Sequence, residues 1–173
     1  GFGIERLEQT GKSHIVNGEK IKARNKTNNK WFETQDSISY WEDFSKPKIL
    51  WKRVGSILRV CYNDNEALGL DGTCFALGNN IEFVCCVLNT PMGHYLLKDA
   101  PKTGTGDLLI SVQAVEPIKL PSVTYEINIE FKRLLEMMIA NCSDDIENEI
   151  SQKIFNLYGL SHEEQKYIEE NFT

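Results

Sequence analysis

The stretch KILWKRVGSILRVCY, residues 48–62, decides the fold of this 173-residue chain. In its second half Leu58, Val60 and Tyr62 alternate with polar or small residues, so they share one face of an extended strand, and Arg59 points to the other. Gly55-Ser56 separates the two apolar halves and is typical of a turn. The pattern therefore predicts an antiparallel hairpin with strands at 48–54 and 57–62.

Further strand signals lie on both sides of this hairpin. Residues 1–45 are polar with scattered apolar anchors, which favours short strands, and Asn17-Gly18 is a strong tight-turn signal among them. Asp71-Gly72 precedes a predicted strand at Thr73–Leu77. A glycine-rich loop at 101–107, expected to be flexible, leads into an apolar strand predicted over Leu108–Val115, and Pro117 and Pro121 bracket its exit.

The apolar period changes to that of helices after residue 80. Ile81, Val84, Cys85 and Leu88 form the stripe of a core-facing helix. The segment 89–91 interrupts it, with Thr90 as a predicted N-cap and Pro91 as the first residue of a second helix.

Three more helices are predicted after residue 121. One carries Phe131, Leu134, Leu135 and Met138 on its apolar face, and the next carries Ile146, Ile150, Ile154 and Leu157. Ser143 and Gly159 are the predicted caps of the second of these helices. Ser161 and Glu164 have capping-box spacing at the start of the last. The fold class is therefore α+β: a mixed, largely antiparallel sheet with a central helical pair and a C-terminal helical subdomain, divided into domains 1–121 and 122–173.

Charge is unevenly distributed along the chain, whose net charge is −6. Residues 1–60 hold 12 Lys and Arg against 7 Asp and Glu, residues 61–120 hold 3 against 7, and residues 121–173 hold 4 against 11. A basic first third can present a face for a polyanion, although two unrelated solvated faces would give the same asymmetry.

Composition also bears on the compartment. The five cysteines are an odd number without scaffold spacing, which favours reduced, mostly buried thiols in the cytoplasm. No apolar run reaches the ~20 residues of a membrane helix, so no membrane partner is expected. The start, Gly1-Phe2-Gly3, suggests a position inside a longer polypeptide.

Motifs for catalysis are weak, and we expect no catalytic residues and no metal site in this chain. Gly104-Thr-Gly106 lacks the Lys-Ser/Thr and the helix of a phosphate-binding loop. The three histidines are far apart in sequence, and Cys85-Cys86 lie on an apolar stripe. Glu130 and Lys132 have nuclease-like spacing but fall in a helical pattern, which favours surface charges. The Asn/Asp-Pro-Pro-aromatic motif of amino-methyltransferases is absent.

A series of short motifs between residues 17 and 164 occurs in a characteristic order. They are NGEKIK (17–22), WFE (31–33), YWEDF (40–44), KPKILWKR (46–53), TCF (73–75), LNT (88–90), PIKLP (117–121), and IFNLYGL (154–160) followed by Glu163-Glu164. In this order they resemble the C-terminal specificity domain of TaqI-type adenine-specific DNA methyltransferases, a family that includes fused restriction–modification enzymes. In that family PIKLP would be a proline-bounded exit strand.

The resemblance implies that this chain is the target-recognition domain and faces a separate methyltransferase domain of the parent enzyme. That absent domain would bind S-adenosylmethionine and act on an adenine turned out of the duplex, while this chain binds no cofactor. Double-stranded DNA would be the partner, with phosphate contacts setting register and a few side chains reading bases.

The candidate DNA-binding residues are the cations of the basic third and the polar residues of the glycine-rich loop. They are Lys20, Lys22, Arg24, Lys26, Lys30, Lys46, Lys48, Lys52, Arg53, Arg59, Lys102, Thr103, Thr105 and Asp107. If about five cations neutralise phosphates, log affinity falls with log salt at a slope near −4.5. Two alternatives stay open: a scaffold domain that docks a protein through its acidic helices, and a small enzyme with a site assembled from scattered residues.

Overall fold

The computed structural model describes residues 11–22 and 40–172. The chain divides into two compact units, Gly1–Trp41 and Glu42–Thr173, a boundary that differs from the one predicted at residue 121. The described residues form seven strands and six α-helices, so the α+β class is confirmed. Every strand pairing among them is antiparallel, and the strands form three small sheets instead of one mixed sheet.

The first unit contains a two-stranded hairpin, β1 (Ser13–Val16) and β2 (Glu19–Lys22). Asn17 and Gly18 join the strands with φ of 52° and 84°, the left-handed conformation that a two-residue hairpin turn requires. The tight turn predicted at this dipeptide is confirmed. Of the remaining residues up to 45, the structure describes 40–45, where Trp41–Ser45 form a short 3-10 helix instead of a strand. Any other strands expected in residues 1–45 lie outside the described residues.

The central sheet of the second unit has the strand order β5-β3-β6, built from β3 (Lys48–Lys52), β5 (Val60–Asn63) and β6 (Thr73–Ala76). The pairing of Lys48 with Asn63 and of Trp51 with Val60 is symmetric about Gly55-Ser56, as predicted. The paired strands are shorter than expected on the side of the turn, however, since β3 ends at Lys52 and β5 begins at Val60. Val54–Gly55 forms β4, which leaves the ladder and pairs with β7 (Leu108–Leu109) in a separate sheet.

Two expectations for the segment after residue 107 are wrong. The strand predicted over Leu108–Val115 is only two residues long, because Val112–Val115 forms the short helix α3. The proline-bounded segment 117–121 forms no strand. Its two prolines cannot donate the ladder hydrogen bonds that a strand interior needs.

The helical pair follows the prediction, with α1 at Ile81–Leu88 and α2 at Pro91–Leu96. Thr90 stands at the N-cap position of α2, but its side chain makes no capping bond and its hydroxyl donates to the carbonyl of Val87 at 2.8 Å. Asn89 joins α1 to the sheet edge. Its side-chain oxygen accepts from the Val60 N–H at 2.9 Å, and its amide nitrogen donates to the Val60 carbonyl at 2.8 Å.

Three longer helices complete the unit: α4 (Tyr125–Ala140), α5 (Asp144–Tyr158) and α6 (His162–Phe172). Ser143 and Gly159 cap α5 by position, although the Ser143 side chain makes no capping bond. Ser161 and Glu164 form the predicted capping box, with the Ser161 N–H donating to the Glu164 carboxylate at 2.8 Å.

The core of the second unit is centred on α1, which contacts β3, β5, α4 and α5. Seven of its eight residues are buried. Phe83 packs edge-on against Phe131 of α4 with ring centroids 5.0 Å apart. Sheet and C-terminal helices therefore share one apolar core. No helix within the described residues is both long and apolar enough to cross a bilayer.

Candidate nucleic-acid interface

The candidate cations of the first unit lie on β2. Lys20 and Lys22 are exposed and two residues apart, so both project from the same face of the hairpin. Arg24, Lys26 and Lys30 lie outside the described residues.

Lys48 was predicted to contact DNA, and the structure overturns this. Its side chain is fully buried, with 0% exposure. The ammonium donates to the carbonyls of Phe44 at 2.8 Å and Lys46 at 3.3 Å, and to that of Asn65. A buried charge is tolerated only when such partners satisfy it. Lys48 therefore holds the segments before and after the β3–β5 hairpin together and has no surface to offer a ligand.

Strand pairing brings the backbones of three other candidates near one another at one edge of the second unit, the basic rim, which we define as Lys52, Arg53 and Lys102. Lys52 ends β3, and the Arg53 carbonyl accepts from the Ile110 N–H at 2.8 Å, which places Arg53 beside β7. Lys102 forms a β-bridge with Leu108, whose other neighbour is Gly55 of β4. Two strand spacings, about 10 Å, therefore separate the Lys102 backbone from β4. All three side chains are exposed.

The glycine-rich loop beside Lys102 is closed by hydrogen bonds, in contrast to the flexible loop predicted. The Thr103 N–H donates to the Asp107 carbonyl at 2.8 Å, and the Gly106 N–H donates to the Thr103 carbonyl at 3.0 Å. The side chains of Thr103, Thr105 and Asp107 form a chain, with 2.8 Å between the two hydroxyls and 3.1 Å from Thr105 to the carboxylate. These three candidate base readers already bind one another.

Lys46 and Arg59 lie apart from the basic rim. Lys46 is exposed and pairs with Asp43 at 2.7 Å. Arg59 lines a cavity of about 510 Å³ between β5, α1, α4 and α5, which Glu147 also lines. Neither residue therefore belongs to the basic rim, and each lies near an acidic residue.

The same cavity contains four of the five cysteines, Cys61, Cys85, Cys86 and Cys142, all free thiols. Burial raises the pKa of the Cys85 thiol to about 12 and raises that of Cys86 as well. Such thiols stay protonated and are poor nucleophiles. Cys61 and Cys142 are exposed and Cys74 is half-buried, so the expectation of mostly buried cysteines is wrong.

A buried carboxylate, Glu82, joins α1 to its neighbours. It accepts hydrogen bonds from Asn128 of α4 at 3.0 Å and from Tyr62 of β5 at 3.1 Å, and Lys132 lies 3.8 Å away. Burial favours a raised pKa, but these hydrogen bonds, the backbone N–H and the Lys132 charge together hold the pKa of Glu82 below its usual value. The network joins three elements of the core.

The charges at Glu130 and Lys132 lie on the surface of α4, as predicted. Glu130 pairs with Lys153 of α5 at 2.6 Å, and Lys132 pairs with Glu82. In the part of the chain that the structure describes, no three His, Cys, Asp or Glu side chains are grouped as a metal site.

A cleft beside the basic rim was missed by the sequence reasoning. It has a volume of about 380 Å³, and its lining includes Lys98, Lys102, His94, Ser56 and Asn171. These residues come from α2 and the turn after it, the β4 region, the glycine-rich loop and the end of α6. Lys98 lies only four residues before Lys102, so the sequence already placed these two cations near each other. The packing of α2 against α6 is the long-range contact that adds Asn171 to the cleft lining.

Comparison with models of known protein families gives no match, and a search of curated proteins gives none either.

Proposed function

We propose that this chain recognises the target sequence in double-stranded DNA for an adenine-specific methyltransferase of a restriction–modification system. The support is the ordered set of motifs from residue 17 to residue 164 together with the basic rim. The rim is the single structural observation that carries the proposal. It groups three exposed cations in a protein whose net charge is −6, next to a loop whose small residues allow close approach of a backbone.

In this proposal Lys52, Arg53 and Lys102 bind DNA phosphates and fix the register of the protein on the duplex. The loop 103–107 follows Lys102 and carries two hydroxyls and a carboxylate, which would exchange their mutual hydrogen bonds for bonds to base edges in the major groove. The S-adenosylmethionine and the methylation chemistry belong to a separate domain of the parent enzyme, which acts on an extruded adenine. This chain contributes the choice of target.

Salt-dependent binding tests the proposal. We would measure fluorescence anisotropy of a labelled duplex from 50 to 200 mM salt, with the wild type and with the Lys52→Gln, Arg53→Gln, Lys102→Gln triple variant. Three phosphate contacts contribute about −2.7 to the slope of log affinity against log salt, which is about 40-fold over this fourfold salt range. We expect the triple variant to lose that part of the slope.

The matched control removes three exposed cations elsewhere, in the Lys119→Gln, Arg133→Gln, Lys166→Gln variant. It has the same net charge as the rim variant but leaves the rim unchanged, so its slope should stay within experimental error of the wild type. Equal slopes for both variants would mean that the rim does not bind DNA, and a wild type without salt-dependent binding would exclude the function altogether.

A further inference from the structure

We infer that the cleft beside the basic rim is a phosphate-binding site, and that its phosphate is one in the backbone of the bound DNA. The DNA source of this phosphate rests on the function proposed above. The affinity of the cleft for a phosphate group does not depend on that function.

The charge of the cleft lining is the first argument. Lys98, Lys102 and His94 are its titratable residues, and no carboxylate lines it among the described residues. Four other cavities of the second unit are each lined by one or more glutamates. In an acidic protein, a cavity lined only by basic titratable groups has a positive potential that concentrates anions.

The shape of the cleft is the second argument. Leu58 and Leu97 are buried, and with Leu108 they form the apolar part of the cleft lining, the apolar floor. A low-dielectric floor strengthens the attraction between a cation and an anion above it. The volume of about 380 Å³ exceeds that of one phosphate group. The remaining space and the apolar floor suit a deoxyribose, which favours a phosphodiester within a chain.

The walls of the cleft are held together by His94. Its Nδ1 lies 2.9 Å from the Phe172 carbonyl at the end of α6, and its Nε2 lies 3.3 Å from the Leu58 carbonyl. The imidazole therefore lies between the end of α6 and the Leu58 segment, and in its neutral form it donates to one of the two carbonyls. A site whose walls are fixed in this way binds without the cost of ordering them.

The two lysines are available to a ligand. Lys102 is exposed, and no ion pair to it is found in the described part of the chain. Lys98 pairs with Asp99 and lies 5.3 Å from the Tyr95 ring centroid. The Asp99 side chain is 84% exposed, so this ion pair is weak and the ammonium can turn to a phosphate at little cost. Lys102 also belongs to the basic rim, so the cleft and the rim share this residue.

The first experiment tests the chemistry without DNA. A ¹⁵N-labelled sample is titrated with sodium phosphate against sodium chloride at constant ionic strength, and amide shifts are followed by NMR. We expect saturable shifts at Ser56, Gly106 and Asn171, which disappear in the Lys98→Gln, Lys102→Gln variant and persist in the Arg133→Gln, Lys166→Gln control. Shifts that are spread over the surface, or that persist in the Lys98→Gln, Lys102→Gln variant, would show that the cleft is not the phosphate-binding site.

The second experiment identifies the source of the phosphate. Duplexes with one uncharged methylphosphonate at successive backbone positions are bound to the wild type and to Lys98→Gln, which leaves the rim intact. One phosphate contact contributes about 0.9 to the salt slope, so the wild type should lose about 3.5-fold more affinity than Lys98→Gln between 50 and 200 mM salt. One methylphosphonate position should remove this difference.

The outcomes separate the inference from the function. Lys98→Gln could bind every duplex like the wild type while the rim variant shows a smaller slope of log affinity against log salt. In that case DNA recognition stands, but the cleft does not bind a DNA phosphate. If phosphate shifts the cleft amides but the wild type binds no DNA, the phosphate site stands and the proposed function fails.

Discussion

Replacing Lys48 by Met tests whether this lysine supports the fold or binds DNA. Methionine has a similar length and fits the buried space, but it cannot donate to the carbonyls of Phe44, Lys46 and Asn65. Each charged hydrogen bond contributes about 1.5–3 kcal/mol, and acceptors left without a donor add a desolvation cost. Lys48 itself is buried, but the residues that carry the three acceptor carbonyls are partly or fully exposed, so water can replace the lost donor at part of the site. Because methionine also packs well, we expect a net loss of about 3 kcal/mol in the free energy of unfolding.

The assay is urea denaturation followed by circular dichroism at 222 nm, because every α-helix of the described residues lies in the second unit. The control is Lys52→Met, at the exposed end of the same strand, which should change stability by less than about 0.5 kcal/mol. A Lys48→Met protein as stable as the wild type would refute the structural role. Loss of DNA affinity without loss of stability would restore the role predicted from the sequence.

Three further predictions concern the core and the helix ends. Gly93→Ala places a Cβ 2.4 Å from the Val87 carbonyl oxygen and 2.6 Å from the Leu88 Cα, so it should cost about 3 kcal/mol or more by urea denaturation, whereas Gly104→Ala, with no atom within 4 Å, should be nearly neutral. Because the pKa of Glu82 is lowered in the folded state, ionised Glu82 stabilises the fold above the pKa of the unfolded chain, and this stabilisation is lost as pH falls through the folded pKa, below the usual 4.5. In unfolding curves measured over a pH series, Glu82→Gln should therefore reduce the fall in the free energy of unfolding at acid pH. An unchanged fall would assign the effect to other carboxylates. Ser161→Ala removes one half of the α6 capping box and should lower the thermal midpoint by an amount equivalent to about 1 kcal/mol, while Ser161→Thr should retain most of the stability.

Elements with local signals were predictable from the sequence. The Asn17-Gly18 turn, the α1–α2 break at residues 89–91 and the Ser161 capping box each depend on residues a few positions apart. The hairpin centre at Gly55-Ser56 was equally local. Periodicity and turn chemistry therefore sufficed for the element order and for the α+β class.

The candidate site depended on contacts that a local pattern does not contain. Val54–Gly55 leaves the hairpin ladder because it pairs with a strand more than 50 residues away, and this pairing is what brings Arg53 towards Lys102. Lys48 and Lys52 are the two ends of one strand, separated by three apolar residues, and they look alike in the sequence. The burial of Lys48 follows from three carbonyls, of which Asn65 is 17 positions away. Charge in a sequence identifies candidate residues, and tertiary packing decides which of them reach the solvent.

The amide of Asn89 has a consequence for self-association. β5 is the outer strand of its sheet, and the polar backbone groups of Val60 are both engaged by this one side chain. An outer strand with unpaired backbone groups is a template on which a strand from another molecule can add. Because Asn89 already engages the N–H and the carbonyl of Val60, a strand from another molecule cannot pair with β5 at this residue without displacing the Asn89 side chain.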